Sequence, residues 1–146
     1  MENEIRRRWM LVDDTAAILE AVAMLLEALD FAEICRFNSS AEALNAFTEN
    51  PEAYELVISD LDMPEMNGFE LCAAIRQIAP AQKLLLATGS SEVTEAEALA
   101  HGFCGLLKKP FPIRALLAAI ESAGVFRDRA EVPNQGLEAL SPAWAM

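Results

Sequence analysis

The chain has 146 residues, 53% of them hydrophobic, and a formal net charge of -12. That length suits one domain with a buried core, and the composition excludes an intrinsically disordered or disulfide-stapled chain. The acidic excess repels phosphate backbones and argues against direct nucleic-acid binding, and no apolar run approaches a bilayer span.

The basic triplet Arg6-Arg7-Arg8 reads as a solvated lead-in rather than a nucleic-acid arm. Trp9 to Val12 is a buried-strand run, and Ile18, Val22, Leu25, Leu26 and Leu29 then recur at helical spacing. Ile34 to Phe37 is a second strand, and Ser39-x-x-Glu42 has the form of a capping box opening a second helix. Leu56 to Ile58 is a third strand. Leu71, Ile75 and Ile78 mark the apolar face of a third helix, stopped by Pro80. Leu84 to Ala87 is a fourth strand, Thr94-x-x-Glu97 caps a fourth helix, and Gly102 suits its end. Gly105 to Leu107 is a short fifth strand. Pro112 suits the start of a fifth helix with Ile113, Leu116, Leu117 and Ile120 on its apolar face.

Strands that each lead into a helix predict an α/β fold. Continuous rather than alternating apolar strands predict a parallel sheet covered on both faces. Five such units predict one doubly wound, flavodoxin-like sheet in the order 2-1-3-4-5. Residues 1–8 are a lead-in, 9–124 the domain, and 125–146, with Pro133, Gly136 and Pro142, a tail. Cys35, Cys72 and Cys104 share no C-x-x-C spacing. They read as buried small hydrophobes in a reducing, cytoplasmic setting.

In such a sheet, ligands bind beyond the carboxyl ends of the strands, at the point where strand order reverses. Asp13-Asp14 end the first strand, Asp60 the third, Thr88 the fourth and Lys108-Lys109-Pro110 the fifth. Three carboxylates brought together raise one another's pKa unless a cation sits among them, and hard oxygen donors suit Mg²⁺. An acidic pair alone is more often a solvated turn or helix cap, and a lone lysine a surface charge. Position at successive strand ends is what marks these residues. A carboxylate nucleophile with a metal, a lysine and a hydroxyl is equipped for phosphoryl transfer.

The stretch Val57 to Gly68, with Asp13-Asp14, Thr88-Gly89 and Lys109-Pro110-Phe111, resembles the receiver domain of two-component response regulators over residues 9 to about 123. The resemblance implies that Asp60 accepts a phosphoryl group from a histidine kinase or histidine phosphotransfer protein. It implies that Mg²⁺ is held by Asp14, Asp60 and the backbone carbonyl of Asp62, with Asp13 acting through metal-bound water. Lys109, followed by a cis Pro110, contacts the phosphoryl group in this scheme, Thr88 moves toward it, and Gly89 leaves room beside it. Asp62 and Ser90 tune its loss. Output is then a change in contacts with a downstream protein, or a homodimer through the face formed by the fourth helix, fifth strand and fifth helix. Such a domain transfers and slowly loses its own phosphoryl group and is not a turnover enzyme. One departure is Leu106, where the family usually carries an aromatic switch residue.

Two alternatives stand beside this reading. Asp60-Leu61-Asp62 also resembles the D-x-D motif of haloacid-dehalogenase-type phosphatases, although there the acidic pair follows the nucleophile rather than preceding it. A degenerate receiver acting as a binding module is the other. His101 reads as a surface residue, Lys108 as an exposed charge at the strand edge, and Trp9 and Trp144 carry no evident chemistry.

Overall fold

The structure is a computed structural model that describes residues 7–127 and 129. Arg6, Trp144 and residues 130–146 of the expected tail lie outside the described residues. Ten elements alternate along the chain: β1 Arg8–Val12, α1 Ala16–Leu29, β2 Glu33–Phe37, α2 Ser40–Glu49, β3 Leu56–Asp60, α3 Gly68–Ile78, β4 Leu84–Thr88, α4 Glu95–Ala100, β5 Gly105–Lys108 and α5 Ile113–Ser122. All strand pairs are parallel, in the order β2-β1-β3-β4-β5. The order predicted from unbroken apolar strands is the order found.

Side chains alternate across the sheet and separate two cores. Trp9, Leu11, Ile58, Leu85 and Leu107 face α1 and α5, packing on Leu19, Ala23, Leu116 and Ile120. Met10, Val12, Val57, Leu84 and Leu86 face α2, α3 and α4, packing on Phe47, Leu71, Ile75 and Ala98. Every residue of β3 and β4 is buried, and each fully buried aliphatic side chain of this kind stabilises the fold by about 1.5–3 kcal/mol.

The helix caps follow the chain's polar punctuation. Ser39 and Thr94 accept from the amides of Glu42 and Glu97. At α2 no return bond from the Glu42 side chain accompanies the Ser39 cap. The reciprocal box belongs instead to α3, where Asn67 and Glu70 exchange bonds of 2.9 Å. It fixes the turn after β3 and brings Gly68 onto the Asp60 carbonyl, so close that a Cβ at position 68 would collide with that oxygen.

Several expectations change in three dimensions. Ile18, Ile78 and Ile113, assigned to apolar faces, are 38%, 40% and 43% exposed because each lies at the margin of its helix's buried stripe. Cys72 is buried, whereas Cys35 and Cys104 are half-buried. Trp9 has a polar role: its indole Nε1 donates to Glu55 at 2.8 Å.

Packing also continues past residue 124. Val125 is fully buried, and Phe126 meets Phe31 with ring centroids 4.8 Å apart. Arg129 donates to both Glu55 oxygens, at 2.8 and 2.5 Å, and to the Phe31 carbonyl at 2.9 Å.

Two outcomes are expected. A chain ended after residue 124 should lose about 2–4 kcal/mol in urea denaturation relative to one ended after residue 130, through Val125 burial and the Phe126 and Arg129 contacts. Gly68→Ala should cost more than about 2 kcal/mol in the same assay, because the close neighbour is backbone and cannot rotate away.

Candidate functional site

Strand β1 ends at Val12, and the chain then reverses into α1. Asp13 is held in the bend by its amide, which donates to the Phe37 carbonyl, and by its Oδ1, which accepts from the Thr15 amide at 2.9 Å. Its other oxygen, Oδ2, takes a 2.8 Å bond from the ammonium of Lys109. The same Nζ lies 3.1 Å from Asp60 Oδ1. Lys109 follows β5, where its amide donates to the Thr88 carbonyl at 2.8 Å, and the Lys109–Pro110 bond is cis.

One lysine thus bridges carboxylates that are 47 residues apart in sequence, one just after β1 and one at the end of the adjacent strand β3. Asp14 completes the group: one oxygen each from Asp13, Asp14 and Asp60 can be found within 4.8 Å of one another. Asp13 and Asp60 are buried and Asp14 is exposed. This is a set of hard donors with one open side, which fits a small divalent cation that keeps some of its water.

The electrostatics follow from burial. Loss of water pushes the Asp60 carboxyl above the usual carboxylate range. The hydrogen bond and charge of Lys109 oppose that rise, and the negative charge of Asp13 adds to it. Burial works against the Lys109 charge as well, but its bonds to Asp13 and Asp60 outweigh it and hold the ammonium above its ordinary value.

The acids open onto a cavity of about 730 Å³ that Asp14, Asp60, Asp62, Gly89 and Lys109 line on one side. The apolar part of its lining is Ile18, Val22 and Leu25 of α1 with Phe111. The sequence reading missed this apolar lining. No signal in the sequence marked it, because Ile18 keeps the helical spacing of the core stripe and only its exposure in the fold sets it apart.

The remaining predicted residues are near but differently engaged. Thr88 is fully buried, and its hydroxyl accepts from the Ser90 amide at 3.1 Å. Gly89 is exposed, and a Cβ there would meet nothing within 4 Å. Leu106 is half-buried and packs on the core face that holds α3 and α4, away from the acids. His101 is exposed and stacks on Phe69 with centroids 3.8 Å apart. Lys108 is exposed, and its Nζ donates to the Ser90 carbonyl at 2.8 Å.

Residues 10–121 match the response regulator receiver domain family. The chain is 39% identical over 111 residues to the response regulator protein FleR of Pseudomonas aeruginosa, a stretch that is 74% of this chain and 22% of FleR. It is 31% identical over 109 residues to the two-component response regulator ARR12 of Arabidopsis thaliana, 75% of this chain and 18% of that protein. The chain therefore spans under a quarter of the length of either relative. Among solved structures, a response regulator receiver domain protein from Clostridium thermocellum matches with a TM-score of 0.76 at 30% identity, over 86% of this chain and 99% of that one. On its sequence, its strand order and these likenesses, the chain belongs to the response regulator receiver domain family of two-component systems.

Proposed function

We propose that Asp60 is the phosphoacceptor of this receiver domain and that Asp13, Asp14 and Asp60, with the Asp62 carbonyl, hold a Mg²⁺ ion. The observation that supports this best is the bridging ammonium of Lys109, 2.8 Å from Asp13 and 3.1 Å from Asp60. When bound, Mg²⁺ supplies charge neutralisation for the oxygens of the transferring phosphoryl group.

The chain's own residues do the rest. An Asp60 carboxylate oxygen attacks phosphorus, the new bond is O–P, and the bond that breaks is P–N of a phosphohistidine on a histidine kinase or phosphotransfer protein. The departing imidazole takes a proton. Lys109 fixes Oδ1 of Asp60 before attack and pairs with a phosphoryl oxygen afterwards. Thr88 donates its hydroxyl to another oxygen. Its acceptor role toward Ser90 leaves the hydroxyl proton available.

Burial at the strand end limits water, and exposed Asp62 and Gly89, with half-buried Ser90, govern at the rim how fast hydrolysis follows. The product is a signalling state rather than a released metabolite, with output through a downstream protein or a second copy on the α4-β5-α5 face. Where the phosphatase reading differs is in turnover: a receiver retains the group and a phosphatase releases it catalytically.

With acetyl phosphate and Mg²⁺, intact-mass spectrometry is expected to register one added phosphoryl group. Asp60→Asn should abolish it, and Lys109→Ala should lower the uptake rate by about 10²-fold, in keeping with loss of one preorganised charge. Catalytic release of phosphate from the donor with no retained adduct would overturn the assignment.

Mg²⁺ at ten times its Kd is expected to stabilise the fold by about 1.4 kcal/mol, raising the thermal midpoint by about 4–8 °C. Asp14→Asn should remove that rise. The sign of the pH effect follows from the raised Asp60 carboxyl. Without metal, ionising it costs stability as pH climbs from the ordinary carboxylate value to the raised one, and the loss then levels off. A proton also competes with the ion, so the Mg²⁺ stabilisation should fade as pH drops through the raised value. Lys109 acts at the other end: its contribution is complete below its ordinary lysine value and disappears as pH rises through the higher folded one.

A further inference from the structure

Val93 anchors the far end of the loop after β4 in the core, and Ser90 carries the polar bonds at its near end. The Ser90 amide donates to the Thr88 hydroxyl at 3.1 Å, its own hydroxyl accepts from the Glu92 amide at 3.2 Å, and its carbonyl accepts from the Lys108 ammonium at 2.8 Å. Two of these bonds are local turn contacts. The third comes from the neighbouring strand: Lys108 ends β5, in register with Thr88 at the end of β4.

Alternation along β5 places Lys108 on the same side of the sheet as Leu106, opposite Leu107. Leu106 is a short aliphatic residue packed into the core and carries no polar group that could report on Thr88. On this side of β5, the polar link to the β4–α4 loop is therefore the Lys108 ammonium. The two successive lysines divide the work by strand alternation, Lys109 toward the acids and Lys108 toward the loop.

We propose that Lys108 is a positioning residue for the phosphorylation reaction, tethering Ser90 so that the Thr88 hydroxyl is held in its resting orientation. The inference rests on the reading of Asp60 and Thr88 given above. For Thr88 to donate to a phosphoryl group on Asp60, its hydroxyl has to turn, and the Ser90 amide bonded to it has to follow or let go. A follow-on shift of Ser90 stretches the carbonyl away from Lys108, so the tether opposes the phosphorylated arrangement. An exposed, charge-assisted bond of this type weights such an equilibrium by about two- to fivefold.

The test compares wild type, Lys108→Met, which keeps most of the aliphatic stem, and Lys108→Arg, which keeps a cationic donor. Phosphoryl uptake from acetyl phosphate with Mg²⁺ is followed by intact mass, and ¹⁵N amide shifts of residues 88–91 are recorded before phosphorylation. Lys108→Met is expected to take up the group about two- to fivefold faster, to lower the thermal midpoint by at most a few degrees, and to move the Ser90 and Ser91 amide signals. Lys108→Arg should restore the rate and the signals.

A labelled wild type whose rate Lys108→Met merely matches overturns the inference while leaving Asp60 in place, as does a change that Lys108→Arg fails to restore. A wild type that takes up no phosphoryl group overturns the Asp60 reading instead. The amide signals then still decide the tether, which unmoved Ser90 and Ser91 signals in Lys108→Met would rule out.

Discussion

The site depends on one ammonium lying between two buried carboxylates. Lys109 reaches Asp13 and Asp60 together, and without it two buried negative charges at the ends of adjacent strands would face each other with little water to screen them. The lysine does not settle the charge completely. Three acids meet one base, burial still raises the Asp60 carboxyl, and Asp14 remains open to solvent. A residual negative charge with an open face suits a divalent cation and, under the function proposed above, an incoming phosphoryl group. Stability and function thus pull on the same residues: the charge left uncompensated in the resting domain is what the ligands complete.

The sheet makes this meeting possible at modest cost. Parallel strands bring their carboxyl ends to one edge, and the reversal of strand order between β1 and β3 leaves a crevice there with helices on either side. Two apolar cores hold the strands, so Asp60 and Thr88 at strand ends, and Asp13 one residue past β1, are presented from well-packed backbone. Gly68 and the Asn67–Glu70 box lock the turn that follows Asp60, setting its position from the other side.

Most of the architecture was legible because it is written in long-range repetition. Runs such as Leu84-Leu85-Leu86 announce strands buried on both faces, and polar residues at successive run ends announce the site. What escaped was decided by single contacts. Ile18, Ile78 and Ile113 obey helical spacing yet sit at the edge of the stripe, where 3.6-residue periodicity does not distinguish core from rim. Glu55 carries no motif, yet it accepts from Trp9 and Arg129, residues 46 and 74 positions away. Lys108 read as a free surface charge because nothing in the sequence says that the Ser90 carbonyl turns toward it. Polar pairings across elements depend on backbone direction, which composition and period leave open.

The most direct measurement of the central claim is chemical mapping of the phosphorylated residue. After reaction with acetyl phosphate and Mg²⁺, borohydride reduction converts an aspartyl phosphate to homoserine, and peptide sequencing by mass spectrometry locates it. The account requires homoserine at position 60 alone, with none when Mg²⁺ is withheld. Homoserine at Asp13, Asp14 or Asp62, or full conversion at position 60 in a chelator, would contradict it.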